Sequence, residues 1–375
     1  MVPRARAARL LPLLAAALGS CSAVTTMTGP VGAFPEPRPL PVAGTDLFDW
    51  KGMVHCHGYL SHDSDGTVEQ IHDAAAFAHF DFVVMTDHQT DQSIAEGQRG
   101  RVGDVLFVVG AEIRTPQGTV IAFPLERPLR RWMSAGALLA EAKEQGAIGV
   151  ICHAERWPDW DVPGLRGAEI VNLHAGAMTA NPVDVILTAL LLPVRLLMQT
   201  VALRDDRVFR QWDAALQQRH PMAPLGGGDA HNSLRVFGPL GGTIANYREV
   251  FLTVSTHVLA ETLDERALVD AIVQGRTYVS FDVFGEGGGF DFRAVDGSGA
   301  VHLPGATIAG AAGLQLRVRT PSPGTIELWR DGAIVQRAHD AQELVRDRPE
   351  PGVWRVEVRT PAGSPWLFSS SIRVE

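Results

Sequence analysis

Cysteine is scarce, with three residues in a chain of 375, at positions 21, 56 and 152. A small scaffold stapled by disulfides is therefore excluded. Positive charge is also short: 33 Lys and Arg stand against 42 Asp and Glu, a formal net charge of −9. That balance argues against a nucleic-acid backbone as the main partner, because phosphate binding relies on clustered cations. Clean membrane spans are missing too. The N-terminal run LLPLLAAALGS is too short, and VDVILTALLLPVRLLMQTVAL at 183–203 is interrupted by Asp184, Pro193 and Arg195. The latter is expected as a buried or cleft-covering helix pair. With 46% hydrophobic residues the chain is not of disordered composition and can bury one large core or two.

What is present begins with Arg4, Arg6 and Arg9 ahead of that short apolar run, the layout of a secretory signal. Leu18-Gly19-Ser20-Cys21 resembles the lipobox of bacterial lipoproteins. The resemblance implies a signal over residues 1–21 and lipidation of Cys21. With Ser22 as the next residue, it implies a membrane anchor on the periplasmic side of the outer membrane. Residues 22–44 hold Pro30, Pro35, Pro37, Pro39 and Pro41, an extended tether able to reach about 70 Å at about 3.1 Å per residue. Cys56 and Cys152 each neighbour a histidine on an apolar strand. Strand neighbours point to opposite faces, so both are expected as buried thiols facing away from those histidines.

From 45 to 298 short apolar runs alternate with helical patterns, the signature of a β/α architecture with parallel strands. Strands are predicted near 51–57, 81–87, 105–112, 118–123, 147–153, 167–173 and 223–229. Thr67 with Gln70 predicts a capped helix over 68–79. Further helices are expected over 134–145 and 261–274, closed by Gly146 and Gly275. About seven such units favour a barrel over an open sheet. Over 299–375 the pattern changes to GLQLRVRT, TIELWRDG, GVWRVEVRT and LFSSSIRVE, read as a small all-β, sandwich-like domain with a turn at Asp331-Gly332.

The chemistry gathers at strand ends. His55 and His57 lie two apart in MVHCHGYLSHDSDGT, a spacing that sends both imidazoles to one side. Asp87-His88 closes FVVMTDH, Glu112 closes VLFVVGAE, His153 closes IGVICH, and Asp229 with His231 closes PLGGGDAH. One such residue could be a helix cap; five strands ending this way point to a divalent-metal site.

Taken together, His55-Cys56-His57, Ser61-His62-Asp63, Thr86-Asp87-His88, Gly110-Ala111-Glu112, Cys152-His153-Ala154 and Asp229-Ala230-His231 resemble the motifs of the polymerase and histidinol phosphatase (PHP) family. The likeness spans residues 48–290. GRTYVSFD and PWLFSSSIRV look like the carbaryl-hydrolase-type branch with its appended β-domain. The resemblance implies a distorted seven-stranded β/α barrel holding two or three divalent metals. In that scheme His55, His57, Glu112 and Asp229 hold the first metal, while Glu112 bridges to a second on His153. Asp63, His88 and His231 hold a third, with His62 as a competitor. One departure stands out: Pro116-Gln117-Gly118-Thr119 occupies a stretch where many relatives carry a Gly-His ligand. That weakens the second metal unless His174 or Glu169 reaches in.

Zn²⁺, Fe²⁺ and Mn²⁺ all accept such mixed shells. The expected chemistry is hydrolysis by a metal-generated hydroxide, with Asp87 as an orienter of His88 or a proton acceptor and Glu112 as the bridging carboxylate. Arg114, Arg156 and Arg235 lie near these motifs and could grip an anionic substrate. A phosphoester is the leading substrate class for a small-molecule ester hydrolase. A carbamate or carboxylic ester on the same site, and a non-catalytic envelope binding protein with a structural metal, are the alternatives. Oligomeric state is left open by the sequence.

Overall fold

The computed structural model describes residues 39–181, 184–185, 188, 193–232, 246–310 and 313–375. The expected signal, the lipobox Cys21, most of the tether, Arg235 and parts of the 183–203 stretch lie outside these residues. The described residues belong to one compact unit, Pro39–Glu375, of mixed α/β structure.

Eight strands frame the candidate site: β1 Phe48–Cys56, β2 Phe82–Met85, β3 Val105–Val109, β4 Ala111–Arg114, β5 Thr119–Phe123, β6 Ile148–Cys152, β7 Leu165–Asn172 and β8 Ala223–Ala230. The VLFVV of β3 and the IGVIC of β6 are buried at every position, as expected for strands covered on both faces. β1 pairs in parallel with β2 and β8, β8 with β7, β7 with β6, and β2 with β3. β5 runs antiparallel to both β4 and β6. The wholly parallel arrangement expected from the sequence is thus corrected. Only residues 115–118 separate β4 from β5, a link long enough for a hairpin but not for a parallel crossover. A single bridge between His88 and Glu112 ties β4 back to the chain leaving β2, so the pairings can be followed round a full circuit.

The helices form where their caps lie. Helix α1, Val68–Phe77, carries the full Thr67/Gln70 capping box, and α2, Ala135–Glu144, starts from Ser134. Both meet the sequence expectation. Helix α3, Glu265–Val273, starts later than expected, because Asp264 accepts the Ala267 N–H at 2.8 Å and fixes the N-terminus there. Gly146 and Gly275 follow with φ of 78° and 71°, the left-handed closure glycine provides at least cost. Among the described residues no helix is long and apolar enough to cross a membrane.

Beyond residue 290 two strands are longer than the sequence reading, while LFSSSIRVE divides between Pro365–Ser369 and Ile372–Val374. Gln315–Arg330 is one strand of 16 residues, paired antiparallel with Ala333–Asp347 through Asp331 and Gly332, both at positive φ (51° and 80°). Thr277–Ser280 pairs with Pro365–Ser369, so hydrogen bonding continues from the first part of the chain into the second. The twenty strands of the described residues form one connected sheet.

Candidate metal centre

The backbone around the motifs departs from regular strand geometry. His55, His153 and Asp229 have φ of 76°, 50° and 47°, a region that non-glycine residues rarely enter. Register shifts fall at Val54/Cys56 and Gly227/Ala230, bulges that re-aim side chains at strand ends. The result is convergence. His55 Nε2 lies 3.0 Å from His57 Nε2 and 3.2 Å from Asp229 Oδ1. His57 Nε2 lies 3.4 Å from Glu112 Oε2.

The tautomers follow from the partners. His55 Nδ1 sits 2.7 Å from Glu169 Oε1, a carboxylate that accepts the Nδ1–H hydrogen bond. Ser61 donates its hydroxyl to Asp63 at 2.6 Å, so its oxygen is left to accept from His57 Nδ1 at 3.2 Å and from the His88 N–H. With both rings neutral, as metal ligands must be, both Nε2 atoms are lone pairs facing each other, ringed by the carboxylates of Glu112 and Asp229. Acceptors facing acceptors are satisfied by a cation, and imidazoles with carboxylates are the donors that zinc, iron or manganese takes. The residues present therefore fit a divalent metal.

Glu112 presents its two oxygens in different directions. Oε2 faces His55, His57 and His88 at 3.4–3.6 Å, and Oε1 faces His153 Nε2 at 3.6 Å. Asp63 Oδ2 lies between His88 Nε2 at 3.0 Å and His231 Nε2 at 3.3 Å. The metal-capable groups among the described residues include His55/His57/Asp229, His57/His88/Glu112, His57/Asp63/His231, His62/Asp63/His88 and His55/Glu112/Cys152/His153. The expected ligands are thus brought together.

Charges respond accordingly. Burial raises the carboxyl pKa values of Glu112 and Asp229, but the surrounding histidines outweigh it and hold both well below the usual range. Burial lowers the His55 pKa, yet Glu169 and Asp229 lift it well above normal; without a cation the extra proton sits on Nε2, at the position a metal would take from it. Burial also brings His57 down to about 4, and the neighbouring His55 and His231 act in the same direction. Asp87 is raised to about 6, chiefly by burial, and accepts the Gly58 N–H at 2.6 Å. Arg114 and Arg156 are exposed, one acting electrostatically on His88 and the other on His174.

Two features were not legible in full. Glu169, 1% exposed, supports the site as well as approaching it: it accepts from His55, from the His153 N–H at 2.9 Å and from Asn172 Nδ2 at 3.1 Å. The glycines of PLGGGD carried a signal of this. A Cβ on Gly227 would lie 2.3 Å from Glu169 Oε1, so the carboxylate fills the space a side chain would need. The second feature is a correction. Cys152 is a free, buried thiol, but it faces the site, with Sγ 3.8 Å from Glu112 Oε1 and 3.7 Å from His55 Nδ1. The left-handed backbone at His153 breaks the strand alternation on which the opposite expectation rested. Thr119 lies across from Cys152 in the β5–β6 register, and His174 Nδ1 stops 3.9 Å from Asp229 Oδ2.

No protein-family profile and no curated protein matches this sequence. Among solved structures, this chain is similar to a two-domain protein containing a predicted PHP-like metal-dependent phosphoesterase from Bacteroides vulgatus ATCC 8482. The identity is 16%, covering 91% of this chain and 100% of that one, with a TM-score of 0.42. A likeness that loose carries no argument about this chain.

Proposed function

We propose that this protein is a metal-dependent hydrolase of phosphoesters, with the PHP family's ligand scheme on a distorted seven-stranded barrel. The circuit of pairings from β1 round to the His88–Glu112 bridge supports the barrel reading. One observation carries the function: the Nε2 lone pairs of His55 and His57 face each other at 3.0 Å between Glu112 and Asp229. In this reading those four residues hold one cation, Glu112 Oε1 and His153 face a second, and Asp63, His88 and His231 take a third.

When bound, such cations supply a nucleophile at neutral pH, by lowering the pKa of a water to about 7, and neutralise charge developing on a phosphoryl oxygen. The protein's own groups do the rest. Glu169 and Ser61 fix the imidazole tautomers. Arg114 and Arg156, which act on His88 and His174, draw an anionic ester to the site. Asp87, held by the Gly58 N–H, accepts a proton beside His88.

The test is metal analysis of residues 45–375, followed by parallel assays on p-nitrophenyl phosphate, bis-p-nitrophenyl phosphate and a naphthyl carbamate with Mn²⁺ or Zn²⁺. Bound metal with turnover of a phosphate ester is expected. Turnover of the carbamate alone transfers the reading to carbamate hydrolysis, and less than one metal per chain without turnover removes the hydrolase reading. The N-terminal reading, export with a lipid on Cys21, is checked by fatty-acid labelling that Cys21→Ser abolishes.

A further inference from the structure

The metal centre proposed above has a donor on its β6 side that its ligand scheme does not use. We propose that Cys152 is a thiolate ligand, sharing a cation with Glu112 and His153 and making that side of the centre selective for thiophilic metals. The inference rests on the metal-centre reading and goes beyond it.

Three observations place the sulfur. Donor atoms of His55, Glu112, Cys152 and His153 all lie within 4.8 Å of one another. Sγ is 3.8 Å from Glu112 Oε1, the same oxygen that faces His153 Nε2 at 3.6 Å. Metal–ligand lengths of about 2.0–2.3 Å in a tetrahedral shell put neighbouring donors about 3.3–3.7 Å apart, so the pairs need to close by only a few tenths of an ångström. Second, residues 152 and 153 are consecutive, and in a regular strand they would face apart. The φ of 50° at His153 lets both reach the cavity. Third, antiparallel partners share a face, and the partner of Cys152 is Thr119, which offers no imidazole, thiol or carboxylate. Of that pair the sulfur is the donor able to complete the shell.

On metal uptake the S–H bond breaks, an S–metal bond forms and the proton leaves to solvent; no oxidant or reductant is involved. Thiolate at this position favours zinc, iron or cobalt over magnesium and manganese. Both cysteines of the described residues border apolar clusters, Cys56 with Met53, Ile71 and Val83 and Cys152 with Val54, Phe82 and Val150; what sets Cys152 apart is its approach to Glu112 Oε1 and His55 Nδ1.

The experiment is Co²⁺ titration of the metal-free full chain. The wild type should show the near-ultraviolet sulfur-to-cobalt charge-transfer band together with visible d–d bands. Cys56→Ser should keep the charge-transfer band. Cys152→Ser should lose it, bind one equivalent fewer, and hold zinc about tenfold or more less tightly at that position. Visible bands without the charge-transfer band in the wild type overturn the inference and leave the metal centre standing, as does a band that survives Cys152→Ser. Absence of all bands, with no cobalt retained, removes the metal centre itself. Should Cys152→Ser fail to fold, zinc-edge X-ray absorption of Cys56→Ser decides: sulfur at about 2.3 Å supports the ligand, and a shell of nitrogen and oxygen alone refutes it.

Discussion

The two ends of β1 bury charge in opposite ways. Near its start, Asp49 and Lys51 are each 3% exposed, yet both find partners of opposite character. Asp49 takes His257 Nδ1 and the Tyr278 hydroxyl, both at 2.7 Å, and the Gly289 N–H at 3.1 Å. Lys51 Nζ reaches Asp282 at 3.0 Å and Glu286 at 2.8 Å. At the other end, four to eight residues on, the neutral rings of His55 and His57 turn lone pairs toward each other and toward carboxylates. Burial of polar residues is therefore not what marks a site. The mark is whether the buried groups complete one another or all ask for the same missing charge.

That contrast can be broken by substitution. The largest effect is expected for His55→Ala or Asp229→Ala, which remove donors from the open end. Bound metal should fall by at least one equivalent, and phosphoester kcat/KM should drop more than about 100-fold, beyond the cost of losing a supporting hydrogen bond. Full activity in His55→Ala, measured beside metal content, would falsify the site. Asp49→Ala attacks the closed end instead. It should cost about 3–5 kcal/mol in a denaturant titration, the usual price of stranding buried partners, with metal stoichiometry unchanged; loss of metal there would erase the distinction.

Glu169→Gln sharpens the comparison, since it preserves shape but weakens the acceptor beneath His55. A competition titration should show metal affinity reduced about 10–100-fold, with a stability loss of about 1–3 kcal/mol because the amide nitrogen meets a buried donor. The smallest effect is alkaline. Burial lowers the Lys51 pKa, but Asp282 and Glu286 overcome this and raise it above 10.5. A raised lysine contributes stability that is complete below pH 10.5 and is lost as pH climbs through the folded value. Unfolding midpoints of the wild type should fall more steeply above that pH than those of Lys51→Met; parallel curves would show that the ion pair is not the source.

Much of this was legible because local signals and the fold agree. The Thr67/Gln70 cap marks its helix, and Asp, Glu and His recur wherever an apolar strand ends. What stayed hidden depends on backbone that breaks its own rule. Alternation sends Cys152 away from His153, and only the left-handed φ reverses that. GLQLRVRT and TIELWRDG read as two strands, yet they run on as one, with shifts of register between Arg319 and Ile326 absorbing Pro321, Pro323 and Gly324. The direction of β5 depends on a four-residue link, whose hairpin character periodicity does not encode.

The left-handed backbone at His55, His153 and Asp229 also has a consequence for protein engineering. Each holds a side chain where a glycine would relieve about 1–2 kcal/mol of steric strain. Replacing all three with glycine should therefore yield a shell that binds no metal at those positions while its main chain is relaxed. Such a shell would be a starting scaffold for other chemistry once a new donor takes the place of His55 Nδ1 against the buried Glu169 carboxylate.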